Sequence, residues 1–177
     1  ILPTEWERAP GRLKTLYERE RPKLVLHFGV SSKATCFVIE TQAHNLCRSA
    51  EDAVGALPSD THIVRGGPAT HATHVPAEEI KRRLAALRVP AELSDDAGGY
   101  LCNAIFYHSL LLAEQGEQPA TVGFFHIPQE IQPALLKSRA DPKAMRFDWG
   151  TALIGGLEII RTCLGRPPPS RRHVKVL

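Results

Sequence analysis

Apolar positions along this chain recur at two different spacings, and the alternation between them divides it into elements. Between Pro10 and Arg21, Leu13, Leu16 and Tyr17 stand at helical spacing among Arg, Lys and Glu, which predicts a surface helix with one buried stripe, stopped by Pro22. Lys23 to Phe28 is a short, nearly continuous apolar run, as expected of a strand buried on both faces of a parallel sheet, with Gly29-Val30-Ser31-Ser32 as a turn at its carboxyl end. Thr35 to Ile39 reads as a second strand, ending at Glu40. From Leu46 to Thr73 the pattern dissolves into small, polar and charged residues, a long irregular excursion. Pro76 to Leu87 is an amphipathic helix with Ile80, Leu84 and Leu87 inward, and Pro76 suits its first turn.

Val89 to Leu93 predicts a strand that reaches a turn at Ala97-Gly98-Gly99. The helical run Leu101 to Leu112 begins around Cys102 and closes at Gly116. Ala120 to Phe125 reads as a strand that ends in His126 and is stopped by Pro128. A short helix over Glu130 to Ser138 and a longer one over Trp149 to Leu164 follow; Gly155 and Gly156 weaken the second, so close packing against the sheet is the expected compensation. Pro167-Pro168-Pro169 ends regular structure, and residues 166–177 form a basic, solvated tail beyond a single domain at 1–165. The alternation predicts an α/β domain whose parallel sheet is covered by helices on both faces. Right-handed crossovers would then bring Glu40, Cys102 and His126, each at or just after a carboxyl end, to one edge.

Composition narrows the function. A chain of 177 residues can bury one core, and 43% hydrophobic with 23% charged residues excludes a disordered or fibrous protein. The net charge of +3, from 22 basic and 19 acidic residues, is too balanced to imply a nucleic-acid partner, and much of it is local to Arg166, Arg171, Arg172 and Lys175. Cys36, Cys47, Cys102 and Cys163 do not read as a disulfide framework, which points to a reducing cytoplasm. No apolar run approaches the ~18 residues that span a bilayer, so no membrane partner is expected, and Ile1 to Trp6 lacks the basic start of a signal peptide.

Three side chains carry candidate chemistry. At a helix start the unpaired amides and the positive end of the helix dipole favour an anion, so the Cys102 thiol should ionise more readily than a free one. His126 would share the sheet edge with it, and Glu40 would orient that imidazole. Taken singly, such a cysteine is more often a small buried hydrophobe, such a histidine a packed side chain, and such an acid a solvated strand end. His71 and His74, with His44 and Cys47, form two pairs at metal-ligand spacing; neither is a finger pattern, and no metal is expected.

Ser94-Asp95-Asp96-Ala97-Gly98-Gly99-Tyr100-Leu101-Cys102-Asn103, Phe125-His126-Ile127-Pro128, and the stretch from His27-Phe28-Gly29-Val30-Ser31 through Glu40 to His44-Asn45 resemble pyroglutamyl peptidase I, a family of cysteine peptidases that remove N-terminal pyroglutamate. The likeness runs from about Leu2 to Pro128. Carried over by motif, it implies Cys102 as nucleophile, His126 as general base and Glu40 as the acidic third member. It also implies a three-layer α/β/α sandwich with a mainly parallel central sheet, no metal or organic cofactor, and peptides with N-terminal pyroglutamate as partners. Family members occur as monomers and tetramers, so a homo-oligomer is compatible with the resemblance. Two departures stand beside it. The family's first strand and its Gly-Phe-x-Pro-Phe-Gly loop, which helps form the lactam pocket, are expected to lie outside residues 1–177, and Ala50 stands about where the family has an arginine, with Arg48 and Asp52 nearby. The alternative is therefore a non-catalytic or truncated relative, a binding or structural protein without a complete lactam pocket.

Overall fold

The computed structural model describes residues 1–116, 119–131 and 147–168. In chain order the elements are α1 (Arg8–Glu20), β1 (Leu24–Ser31), β2 (Phe37–Glu40), β3 (Gln42–His44), β4 (Thr70–Ala72), α2 (Ala77–Ala86), β5 (Ala91–Ser94), α3 (Leu101–Gln115), β6 (Thr121–Pro128) and α4 (Trp149–Cys163). The main sheet has the order β1-β6-β2-β5, and β3 and β4 form a small antiparallel pair beside it. Helices α1 and α3 pack on one face of the main sheet and α2 and α4 on the other, giving the three layers of an α/β/α sandwich.

Two of the three ladders, β1 with β6 and β2 with β5, are parallel, so the sheet is mainly parallel. The third departs from expectation: β2 runs antiparallel to β6, with Val38 opposite His126 and Glu40 opposite Phe124. The cause lies in the link from Ser31 to Phe37, which is far too short for a parallel crossover of about a dozen residues. The carboxyl ends of the strands therefore do not share one edge. Two boundaries move as well. Gly29 to Ser31 continue β1 rather than turning, and His126 lies inside β6, whose last residue is Pro128. The excursion from Leu46 to Thr73 is irregular except for β4, and the structure starts α2 at Ala77, with Pro76 as its cap. The helix expected over Glu130–Ser138, past Ile131, and the tail Ser170–Leu177 lie outside the described residues.

Side chains alternate across each strand, and the two faces sort accordingly. Leu26, Phe37, Ile39, Phe125 and Ile127 pack with Ile80, Leu84 and Ile159 of α2 and α4. Val25, Val122 and Phe124 pack with Phe106, Tyr107 and Leu110 of α3. Each fully buried side chain of this size contributes about 1.5–3 kcal/mol. By the same alternation His27, Gly29, Val38, Glu40 and His126 belong to the α3 face. Among the described residues no helix is long and apolar enough to cross a membrane.

The two glycines of α4 differ. Helix α4 is capped by Asp148, whose Oδ1 accepts the Thr151 amide at 2.7 Å, and presses Gly155 onto the sheet: a Cβ there would stand 2.2 Å from Phe37 Cε2 and 2.9 Å from Val89 Cγ1. Around Gly156 a Cβ would meet nothing within 4 Å. Gly155→Ala is therefore expected to destabilise the fold by about 2 kcal/mol through overpacking. Gly156→Ala is expected to stabilise it by about 0.5–1 kcal/mol through helix propensity. Urea unfolding followed by far-UV circular dichroism checks both signs.

Candidate active site

The turn before α3 is built by its own polar side chains. Ser94 Oγ accepts the Asp96 amide at 3.1 Å, and Asp96 Oδ1 accepts the Gly98 amide at 2.9 Å. Gly98 has φ of 79°, a left-handed conformation that glycine adopts without cost. Gly99 lets another strand of chain pass close: its carbonyl accepts the Arg48 amide at 2.7 Å, and a Cβ on it would lie 3.1 Å from Arg48 Cβ. Tyr100 then caps α3 without a side-chain hydrogen bond, and Cys102 is the second helical residue. No side chain caps the first amides of the helix, so its positive end is available to an anion beside the sulfur.

The segment after Glu40 is laced along this turn. Asn103, fully buried, accepts the His44 amide at 2.9 Å through Oδ1 and donates through Nδ2 to the carbonyls of His44 at 2.8 Å and Leu46 at 3.1 Å. His44 Nε2 bonds the Asp95 carbonyl at 2.7 Å, and the Tyr100 hydroxyl donates to the Glu51 carbonyl at 3.0 Å. Trp6 meets Tyr100 edge-on at 5.2 Å, and its amide donates to Asp52 Oδ2 at 2.9 Å. Residues 44–52 thus form a wall fixed to the turn before α3.

Across from that turn, His126 Nδ1 lies 2.7 Å from Glu40 Oε1. Glu40 is 1% exposed, and its Oε2 has no hydrogen-bond partner among the described residues. The Cys102 thiol is the other group acting on this imidazole, and since Nδ1 is taken by Glu40, Nε2 is the nitrogen left for the sulfur. Burial alone would lower the His126 pKa. The influence of Cys102 and the hydrogen bond to Glu40 outweigh it and push the value up to about 9. A proton therefore stays on the ring at neutral pH. Gly29, opposite His126 in the β1–β6 ladder, makes room for the sulfur: a Cβ there would stand 3.1 Å from Cys102 Sγ and 2.8 Å from Phe124 Cζ.

Glu40, Cys102 and His126 are thus brought together on the α3 face of the sheet, where antiparallel β2 and β6 meet under the start of α3, rather than at a common carboxyl edge. Gly29 and Asn103 are not visible as site residues in the sequence, although a glycine inside an otherwise branched and aromatic strand is a sign of close approach. The histidine pairs go elsewhere. His71 Nδ1 and His74 Nε2 face Glu114 Oε1 at 2.9 and 3.7 Å, while His44 is held at Asp95. Among the described residues, no three His, Cys, Asp or Glu side chains are grouped to hold a metal ion.

Gly29→Ala is expected to leave the chain folded but push Cys102 Sγ off His126. Alkylation of Cys102 by iodoacetamide, followed by peptide mass spectrometry, should slow about tenfold. An unchanged rate would mean that the sulfur does not depend on the space above β1.

Residues 1–159 match the family model described as pyroglutamyl peptidase. The pyrrolidone-carboxylate peptidase 1 of Ralstonia nicotianae is 34% identical over 168 residues, covering 93% of this chain and 75% of the relative. The pyrrolidone-carboxylate peptidase of Halalkalibacterium halodurans is 32% identical over 129 residues, 72% of this chain. The chain spans 64% of the length of that relative and 62% of the one from Gloeobacter violaceus. Among solved structures, a mutant pyrrolidone carboxyl peptidase from the hyperthermophile Pyrococcus furiosus superposes with a TM-score of 0.80 at 25% identity, over 93% of this chain and 80% of that one. With a family model matched over most of its length, this chain belongs to the pyroglutamyl peptidase family.

Proposed function

We propose that this chain is a cysteine omega-peptidase that hydrolyses N-terminal pyroglutamate from peptides, with Cys102 as nucleophile, His126 as general base and acid, and Glu40 as the orienting acid. The observation that carries the reading is one imidazole bonded to a buried carboxylate at 2.7 Å, with a helix-start thiol as the second group that holds its proton. In the first step the thiol proton resides on His126 Nε2, and the sulfur attacks the carbonyl carbon joining pyroglutamate to the next residue. The carbonyl oxygen takes the negative charge, and the amides at the start of α3, which no side chain caps, are the donors this reading assigns to it. His126 returns its proton to the amine as the C–N bond breaks, leaving a thioester. Water, deprotonated by His126, then releases pyroglutamic acid and restores the thiol. The cycle is complete without a metal or an organic cofactor.

Glu40 fixes the ring by accepting from Nδ1 and stabilises its cation. Its partners in this reading are peptides, in a cytoplasmic setting that four free cysteines support. Self-association into a homo-oligomer is supported by an apolar stripe on the outer face of α4, where Leu153, Leu157, Ile160 and Leu164 are all exposed. A second reading, a binding protein without turnover, has one observation in its favour: among the described residues β1 ends the sheet and leaves Phe28 and Val30 exposed.

Turnover separates the two. The chain is expected to release a fluorogenic amine from its pyroglutamyl amide, and Cys102→Ala and His126→Ala should each lose about a thousandfold or more of that activity while keeping the wild-type circular dichroism spectrum. Full activity in either variant would defeat the assignment, and an inactive wild type would favour the binding protein. The pH profile supplies a further check. Because the His126 pKa is raised, the ring is a cation below about 9 and loses its proton above it. kcat/KM should fall on the alkaline side with a midpoint near 9, and a fall centred at the ordinary imidazole value of about 6.5 would contradict the ion-paired ring.

A further inference from the structure

Two turns beyond Cys102 along α3, Ser109 is fully buried. Its Oγ lies 2.8 Å from His27 Nε2 and 2.7 Å from the Tyr17 hydroxyl, which also donates to the Ser109 carbonyl at 3.1 Å. One serine therefore joins β1, α1 and α3. The chain of hydrogen bonds carries no charge at neutral pH, since burial lowers the His27 pKa to about 4 and raises that of Tyr17 against the opposing pull of Ser109. Mid-helix serines commonly bond back to a carbonyl one turn earlier, and this one is turned to the sheet instead.

The geometry of β1 gives that choice a consequence. His27 and Gly29 lie two residues apart on the same face, Gly29 beside Cys102 and His27 beside Ser109. The contact at Gly29 has no side chain and cannot fix how far α3 slides along the strand. The contact at His27 is directional and can. Phe124 extends the constraint: its ring stacks on His27 at 5.8 Å and tilts against His126 at 5.0 Å, so it stands between the two imidazoles.

We propose that Tyr17, Ser109 and His27 are positioning residues for the proposed reaction: together they set the height of α3 on β1, hence the approach of Cys102 to His126, and through Phe124 they hold the His126 ring. This inference rests on the peptidase reading for its meaning, and none of the three touches the reacting atoms.

The test uses the full chain with Ser109→Ala, Ser109→Thr and Tyr17→Phe. Three readouts are taken: the rate of Cys102 alkylation by iodoacetamide with Cys47 and Cys163 as internal references, the His126 titration midpoint by NMR, and kcat and KM on a pyroglutamyl amide. Ser109→Ala should slow Cys102 labelling about tenfold, lower the His126 midpoint and reduce kcat with KM unchanged, while Ser109→Thr should return labelling to within about twofold of wild type. A folded Ser109→Ala with wild-type labelling and an unshifted midpoint overturns the proposal. If that variant does not fold, Tyr17→Phe decides by the same readouts: a smaller slowing supports the network, and none overturns it. A wild type that fails to cleave the pyroglutamyl amide defeats the peptidase reading alone, because labelling and titration still judge the positioning.

Discussion

A carboxyl group almost without access to water has to be met by a donor, and at Glu40 the donor is His126 Nδ1. One oxygen of Glu40 is bonded and the other has no partner among the described residues, so the imidazole carries the whole compensation. That concentrates the protein's influence on a single ring, whose second nitrogen is left to the sulfur. The ring keeps its proton far above the usual range as a result. The pairing exists because β2 runs against β6: the reversal brings the end of β2 alongside the middle of β6, with Glu40 one pleat away from the residue opposite His126.

Around this bond the chain supplies restraint rather than more chemistry. Asn103 follows Cys102 directly in sequence and gives its side-chain amide to the backbone of residues 44–46, which ties the wall after Glu40 to the helix that carries Cys102. Gly98 and Gly99 serve the same end by different means, the first by its left-handed backbone and the second by letting Arg48 approach. The turn motif is thus a set of backbone requirements, each met by the residue type that costs least there.

Much of this was legible in the residues. The spacing of Ile80 and Leu84, the Ala97-Gly98-Gly99 turn and the apolar run of β6 placed α2, α3 and β6 within a few residues of where they lie. Glu40, Cys102 and His126 were singled out before any geometry, on strand and helix boundaries and on motif. The direction of β2 is not legible in its own residues, because an apolar run says that a strand is buried, not which way it points; the shortness of the link before Phe37 carries that information. Gly29 predicts a turn because glycine more often marks one, while its role depends on Phe124 and Cys102, far away in sequence. The bonds among Tyr17, His27 and Ser109 have no local signature, since each partner comes from a different element.

The sheet has one more property with a bearing on handling the protein. Among the described residues, strand β1 is last in the order β1-β6-β2-β5, and its outward backbone amides and carbonyls face away from β6 along a row of valine, leucine and phenylalanine. It carries no proline, no inward lysine and no bulge, the devices by which natural sheets discourage addition of a foreign strand. Where that edge stands open it invites edge-to-edge pairing with another chain, and an added charge at Val30 is the natural remedy.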